Sequence, residues 1–174
     1  MPAQPSNVNF LSGFGFSLEV KNLPNVDYFI QKISVPGLTL GQANQPTPLA
    51  FPVPYPGDLT FNDLVMTFKI DEALKSYTEI WNWMTLLGSP STFSQYATIL
   101  QKDQDINPGP GATMSPATLT IYNNKYNPIF RINFMDIWPS SLSDINFDAT
   151  SADVTYLTAD VTFKYTLYTI EKLP

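Results

Sequence analysis

The chain has 174 residues, 44% hydrophobic and 14% aromatic, with 15 Asp and Glu against 9 Lys and Arg for a net charge of -6. Cysteine and histidine are both absent, which excludes disulfides, thiolate and imidazole metal sites, and nucleophile systems that depend on histidine. The acidic balance opposes binding to a phosphate backbone and argues against a nucleic-acid-binding role.

A chain of this length fits one domain, spanning residues 1–174, and its Phe, Tyr and Trp content supplies a core without staples. The opening MPAQPSNVNF lacks a basic stretch followed by an apolar one, and no run is apolar enough to span a bilayer. A soluble protein with no membrane anchor is expected.

Phe14–Val20 alternates, with Phe14, Phe16, Leu18 and Val20 on one face, and predicts a half-buried strand. Tyr28–Val35 predicts a second, with Phe29, Ile33 and Val35 sharing a face. The turn-like Asn22, Pro24 and Asn25 between them suggest a hairpin.

From Pro36 to Asp58, six prolines remove too many N–H groups for a central strand, so this stretch (36–58) reads as an extended arm. Leu49, Phe51, Val53 and Tyr55 interleave with the prolines. A freely solvated loop gains nothing from such a pattern, and these four residues are the candidates for contact with a neighbouring subunit.

Leu59–Ile70 predicts one long strand, with Leu64, Met66, Phe68 and Ile70 facing the core. Asp71 is placed to cap a helix over Glu72–Leu87, in which Leu74, Tyr77, Ile80, Trp81, Met84 and Leu87 recur at helical spacing. This stripe puts Trp81 in the core and Trp83 nearer its margin, with Gly88 and Pro90 as the stop. Thr92–Leu100 suggests a short second helix, and 101–116 a loop.

Three strands follow: Ala117–Tyr122, Ile129–Trp138 and a long Val154–Ile170. A turn at Asn123–Asn124 and Tyr126–Pro128 joins the first two, and Pro139–Leu142 turns a corner. The fold class is α+β, mainly β: an antiparallel two-sheet barrel or sandwich with one main amphipathic helix at its edge.

Catalytic chemistry finds little support. Asp71/Glu72, Asp103/Asp105 and Asp144 with Asp148 are the carboxylate pairs a glycosidase would need, but capping explains the first and polar loops the others. No catalytic residues, metal ligands or cofactors are expected. Tyr122, Tyr126 and Tyr168 supply the alternative reading, a carbohydrate-binding β-sandwich module.

Two blocks carry a family resemblance. Leu59–Gly88 runs from a strand through Asp71 and Glu72 into a helix bearing Trp83, and Phe130–Tyr168 contains a strand ending at Trp138–Pro139, an acidic connector and a long final strand. Together with Phe61 and Asp63, these landmarks resemble the tail-tube proteins of contractile-tailed bacteriophages. The resemblance implies a structural virion protein of the phage tail, assembled in the host cytoplasm. It also implies six copies closing into a homo-oligomeric ring around a channel, with sheath, baseplate or neck proteins as partners. Tube subunit, tube initiator and neck ring are all compatible with it.

DNA would then pass only as non-sticky cargo, and the channel wall should be small, polar and more acidic than basic. On the non-core strand faces Thr67, Thr162 and Thr166, with nearby Asp63 and Asp160, are the lumen candidates, whereas Lys69 and Lys164 on those faces oppose the assignment.

Overall fold

The computed structural model describes residues 10–23, 26, 29–46, 48, 51–88, 114–148, 150 and 156–174. In chain order the elements are β1 (Phe16–Val20), β2 (Ile30–Ser34), β3 (Leu38–Gln45), β4 (Val53–Phe61), β5 (Leu64–Lys69), α1 (Lys75–Gly88), β6 (Ser115–Tyr122), β7 (Pro128–Leu142), β8 (Thr158–Lys164) and β9 (Leu167–Lys172). The architecture is mainly β with one helix among the described residues. The suggested helix at Thr92–Leu100, Pro90 and the bulk of the 101–116 loop lie outside them, while the end of that loop, Ser115–Pro116, is already strand.

Every pairing is antiparallel. One layer runs β1-β6-β7 with β9 on the far side of β7, and the other runs from the end of β7 through β8 and β5 to β2. The predicted hairpin between the first two strands does not form: β1 pairs with β6 and β2 with β5. Proximity in sequence is overridden here because the two strands bury their apolar sides against opposite sheets. Nor is the system closed among the described residues, where β1 and β2 are left as edges.

A single strand, β7, joins the layers by bending. Two β7 residues, Met135 and Asp136, oppose Pro116 where the register shifts between Ala117–Phe134 and Ser115–Ile137. Asp136 adopts φ 55° at this bulge, a conformation that Asp tolerates better than most residues. A second shift, at Ser140 beside Pro139, falls within the stretch Trp138–Leu142 that pairs with β8. The corner expected at Pro139–Leu142 is therefore real, but it lies within a continuing strand and not in a turn. Two bulges supply the bend, and a bulge is where a strand admits proline.

The core fills the space between the layers. Leu18, Leu119, Ile132 and Phe134 meet Leu64, Met66, Phe68, Val161 and Phe163, all buried. In β2 a bulge between Ile30 and Lys32 turns both Ile30 and Ile33 to the core, leaving Phe29 and Val35 largely exposed, against the expected face. Phe14 is likewise exposed.

Helix α1 lies along β7. It starts at Lys75, three residues later than expected, because Leu74 takes φ 55° and a turn closes from Leu74 N–H to Asp71 O. Asp71 still does the capping: its two carboxylate oxygens accept from Lys75 N–H at 3.1 Å and Ser76 N–H at 3.0 Å. These bonds, Ser76 N–H first, hold its carboxyl below the usual carboxylate range. The buried stripe is Ser76, Ile80 and Trp83, while Trp81 is 52% exposed. The expected order of the two tryptophans is thus reversed.

Candidate subunit-contact arm and channel face

The proline-rich stretch is a two-stranded ribbon. Among the described residues β3 and β4 pair only with each other, and every residue of β3 is exposed. Pro54 and Pro56 lie opposite Asn44 and Gln42. Being two apart, they turn their ring nitrogens to the same edge, the one away from β3, so no ladder bond is lost. The sequence reading of 36–58 as an extended arm is met by a hairpin, since alternate prolines disqualify only one edge of a strand.

Midway, Gly41 opposes both Gly57 and Asp58 in a bulge. A Cβ on Gly57 would stand 3.0 Å from the carbonyl carbon of Gly41, tighter than most side chains approach a backbone, so a larger residue here would push the two strands apart by a few tenths of an ångström. Asn62 and Asp63 then separate β4 from β5, which splits the single strand expected over Leu59–Ile70.

Two tyrosines clamp the roots of the arm. Tyr168 donates its hydroxyl to Pro36 O at 3.1 Å, just before β3, and Tyr165 donates to Asn62 O at 2.7 Å, just after β4. Phe61 packs edge-on against both rings, with centroids 6.1 Å from Tyr165 and 5.7 Å from Tyr168, and Phe134 continues the cluster into the core. Burial, with Tyr168 and Asp63 adding to it, pushes the Tyr165 hydroxyl up to about 12.

The clamp exists because the expected long final strand breaks at Tyr165–Thr166. Its phase changes there: Tyr168 packs on the core and Leu167 faces out. Tyr168 entered the sequence reading only as a sugar-stacking candidate and Tyr165 not as a candidate at all, and strict alternation through the break gave no signal of the clamp.

Of the four contact candidates, Leu49 lies outside the described residues. Phe51, Val53 and Tyr55 are exposed, by 94%, 45% and 51%. Val53 and Tyr55 lie opposite Gln45 and Ala43, on one face of the ribbon, while Leu38, Leu40 and Leu59 occupy the other face nearer the root and are also exposed. Beyond Phe61, which packs on the clamp, the arm thus carries exposed apolar side chains on both faces. An isolated two-stranded hairpin is marginal in water, so this ribbon needs a surface to lie on.

The lumen candidates divide. Thr67 and Asp160 are cross-strand partners, joined by a 2.5 Å bond from the Thr67 hydroxyl to the Asp160 carboxylate, and Thr162 lies beside Val65 on the same outward face of β5 and β8. Asp63 sits at the margin of this face, ion-paired with Lys164 at 2.7 Å. Thr166 belongs to the break between β8 and β9 and donates its N–H to Met135 O, so it is not on this face.

Lys32 and Lys69 join Lys164 there against Asp63 and Asp160, so acids do not outnumber bases. Two of these three lysines are occupied, however: Lys164 by Asp63, and Lys69 by the ring of Tyr156 at 5.1 Å.

The other candidate chemistries gain little. Asp71 is committed to the helix start, and Asp148 to the hydroxyl and N–H of Thr150, which hold its pKa low. Asp103 and Asp105 lie outside the described residues. No metal-binding group of three occurs among the described residues. Of the sugar-stacking tyrosines, Tyr122 bonds to Ser17 and Tyr168 is half-buried in the clamp, leaving Tyr126 exposed at the turn.

Comparison with known proteins agrees with the architecture. Residues 12–166 match the family described as T4-like virus tail tube protein gp19. The tail tube terminator protein of Enterobacteria phage T4 is 30% identical over 115 residues, covering 64% of this chain and 57% of that protein. This chain therefore matches little more than half the length of that relative. The tube-terminating cap of the anti-feeding prophage superposes with a TM-score of 0.68 at 12% identity, covering 99% of each chain. A chain of the anti-feeding prophage baseplate gives 0.64 at 15% identity, covering 94% of this chain and 96% of that one. At such identities the superpositions speak to the fold.

Proposed function

This chain belongs to the T4-like virus tail tube protein family, and on that premise we propose that it is a structural ring subunit at an end of a phage tail tube. The observation that carries the reading is the family match across 12–166, nearly the whole sheet system. The position at a tube end rests on the T4 tail tube terminator protein.

Six copies close into a ring in this reading, and the arm is the contact element between subunits. Its exposed Phe51, Val53 and Tyr55, with Leu38 and Leu40, become buried on assembly. The ring's partners are other tail proteins.

The outward face of β5 and β8, with Thr67, Asp160 and Thr162, lines the channel. Its lysines favour this less than its hydroxyls do, but neutralisation of Lys164 and occupation of Lys69 reduce the cost. DNA passes without being held, because few free cations meet its phosphates. No chemical step is required of the protein.

Electron microscopy of the purified chain, alone and added to tail tubes, tests the reading. Single rings, and rings seated at tube ends, are expected. Long tubes from this chain alone would move it from the tube end to the tube wall, and monomers under every condition would defeat the ring.

A further inference from the structure

The two edges of the arm differ, and the difference selects a mode of docking. Asn62 N–H donates to Gly37 O at 3.1 Å, which makes Gly37–Asn62 a hydrogen-bonded pair. Alternation then makes Leu38–Phe61 and Leu40–Leu59 non-bonded pairs, and the prolines require the same of Gln42–Pro56 and Asn44–Pro54. The backbone N–H and C=O groups of Leu38, Leu40, Gln42 and Asn44 therefore all point to the open edge of β3. The opposite edge, on β4, lacks donors at Pro54 and Pro56. One edge can extend a sheet and the other is blocked along its outer half.

The body of the same chain carries a receiving edge. Tyr122 N–H donates to Gly15 O at 2.8 Å, so alternation along β1 directs the N–H and C=O groups of Phe16 and Leu18 away from β6. Beside this edge, at the unclosed seam between the layers, lies a groove of about 270 Å³, with Phe14, Phe16 and Leu18 on one side and Ile30 and Gln31 on the other.

Charge is sparse on both edges, and β1 itself carries one charged residue, Glu19. Between Leu38 and Phe61 the arm has Asp58 as its sole charged residue, and the groove-lining residues are uncharged.

We infer that the open edge of β3 adds as a strand to β1 of a second copy of this chain, seated in the groove between β1 and β2. The inference rests on the reading of the arm as a subunit contact and names its receptor. A second copy is the occupant because each chain carries both an extending edge, on β3, and an edge beside an apolar groove that can receive it, on β1, and such a head-to-tail contact closes into a ring when the rotation between copies closes. The proline-bearing edge keeps the arm from recruiting a further strand on its outer half.

Hydrogen exchange of the full chain, compared between monomer and assembly, reads both edges. The amides of Leu40, Gln42 and Asn44 and those of Phe16 and Leu18 are expected to slow together by roughly tenfold or more on assembly. The double variant Gln42→Pro/Asn44→Pro removes donors only at the open edge and leaves the β3–β4 ladder intact. It should abolish that protection and the rings, while slow exchange at Met66 and Phe163 reports a folded body.

Slowing at β3 without slowing at β1 would overturn the assignment of the receptor. Rings that survive Gln42→Pro/Asn44→Pro but fail with Val53→Ser/Tyr55→Ser would overturn edge pairing and keep the arm as a contact. Rings indifferent to both variants would overturn the two readings together.

Discussion

Trp83, on the inner face of α1, stands with its ring centroid 6.3 Å from that of Phe163 in β8 and tilted 45° to it. This contact joins the helix to the second layer of the core. Trp83→Ala is expected to cost about 3 to 5 kcal/mol, as for other large-to-small changes in a packed core. Trp81→Ala, at an exposed position, should stay within about 1 kcal/mol. Urea unfolding of both variants checks the ranking.

The helix shows what the sequence carried and what it did not. Its existence, its apolar stripe through Tyr77, Ile80, Met84 and Leu87, and its capping by Asp71 were all legible. The phase was not, because Ser76 looks like a surface residue. Buried, with its hydroxyl donating to Asp71 at 2.8 Å, Ser76 pulls the inner face toward Trp83. Trp83 lies about 60° from Ile80 on that side, and Trp81 about 100° on the other. Strand alternation likewise gave the core faces of β5 and β8, but pairing partners, bulges and the breaks at Asn62–Asp63 and Tyr165–Thr166 depend on distant residues. The arm was visible as a proline-rich segment; its hairpin form and its tyrosine clamp were not.

The Asp71 cap predicts an acid-side signature. Its pKa is lower folded than unfolded, so its contribution is present above the ordinary carboxylate value of about 4 and is lost as pH falls through the folded value. Asp71→Asn should therefore be less stable than the parent at pH 7, and the gap should close as the pH is lowered. Thermal melts across pH 2 to 7, a span of roughly five units around that ordinary value, measure it.

At the other end of the scale, Tyr165 should ionise near 12, against about 10 for a free tyrosine. The sign is opposite: its contribution holds below the unfolded value and is lost as pH rises through the folded one. Ionisation also removes the donor to Asn62 O, loosening the root of the arm. Tyr165→Phe is expected to cost about 0.5 to 1.5 kcal/mol at neutral pH and to remove one late-titrating phenol from the ultraviolet absorbance titration.

The Lys164–Asp63 pair is partly exposed on both sides. Asp63→Asn should change stability by less than about 1 kcal/mol, while freeing Lys164 on the face assigned to the channel. If that face lines the channel, DNA retention in assembled tails should become stronger at low salt and fade as salt is raised.

The arm variants separate folding from assembly. Val53→Ser/Tyr55→Ser should leave the unfolding midpoint of the monomer nearly unchanged, because both residues are exposed and lie outside the buried core. Ring formation should fall sharply, as sedimentation velocity will show.

Closed rings with an open, polar channel are the central claim, and a cryo-electron microscopy reconstruction of the assembled chain tests it most directly. A six-fold ring is expected in which Thr67, Asp160 and Thr162 face the axis and the β3–β4 arm is buried against a neighbouring copy. An axis lined mainly by Lys and Arg, an axis plugged by side chains, or a particle in which the arm remains solvent-exposed would contradict it.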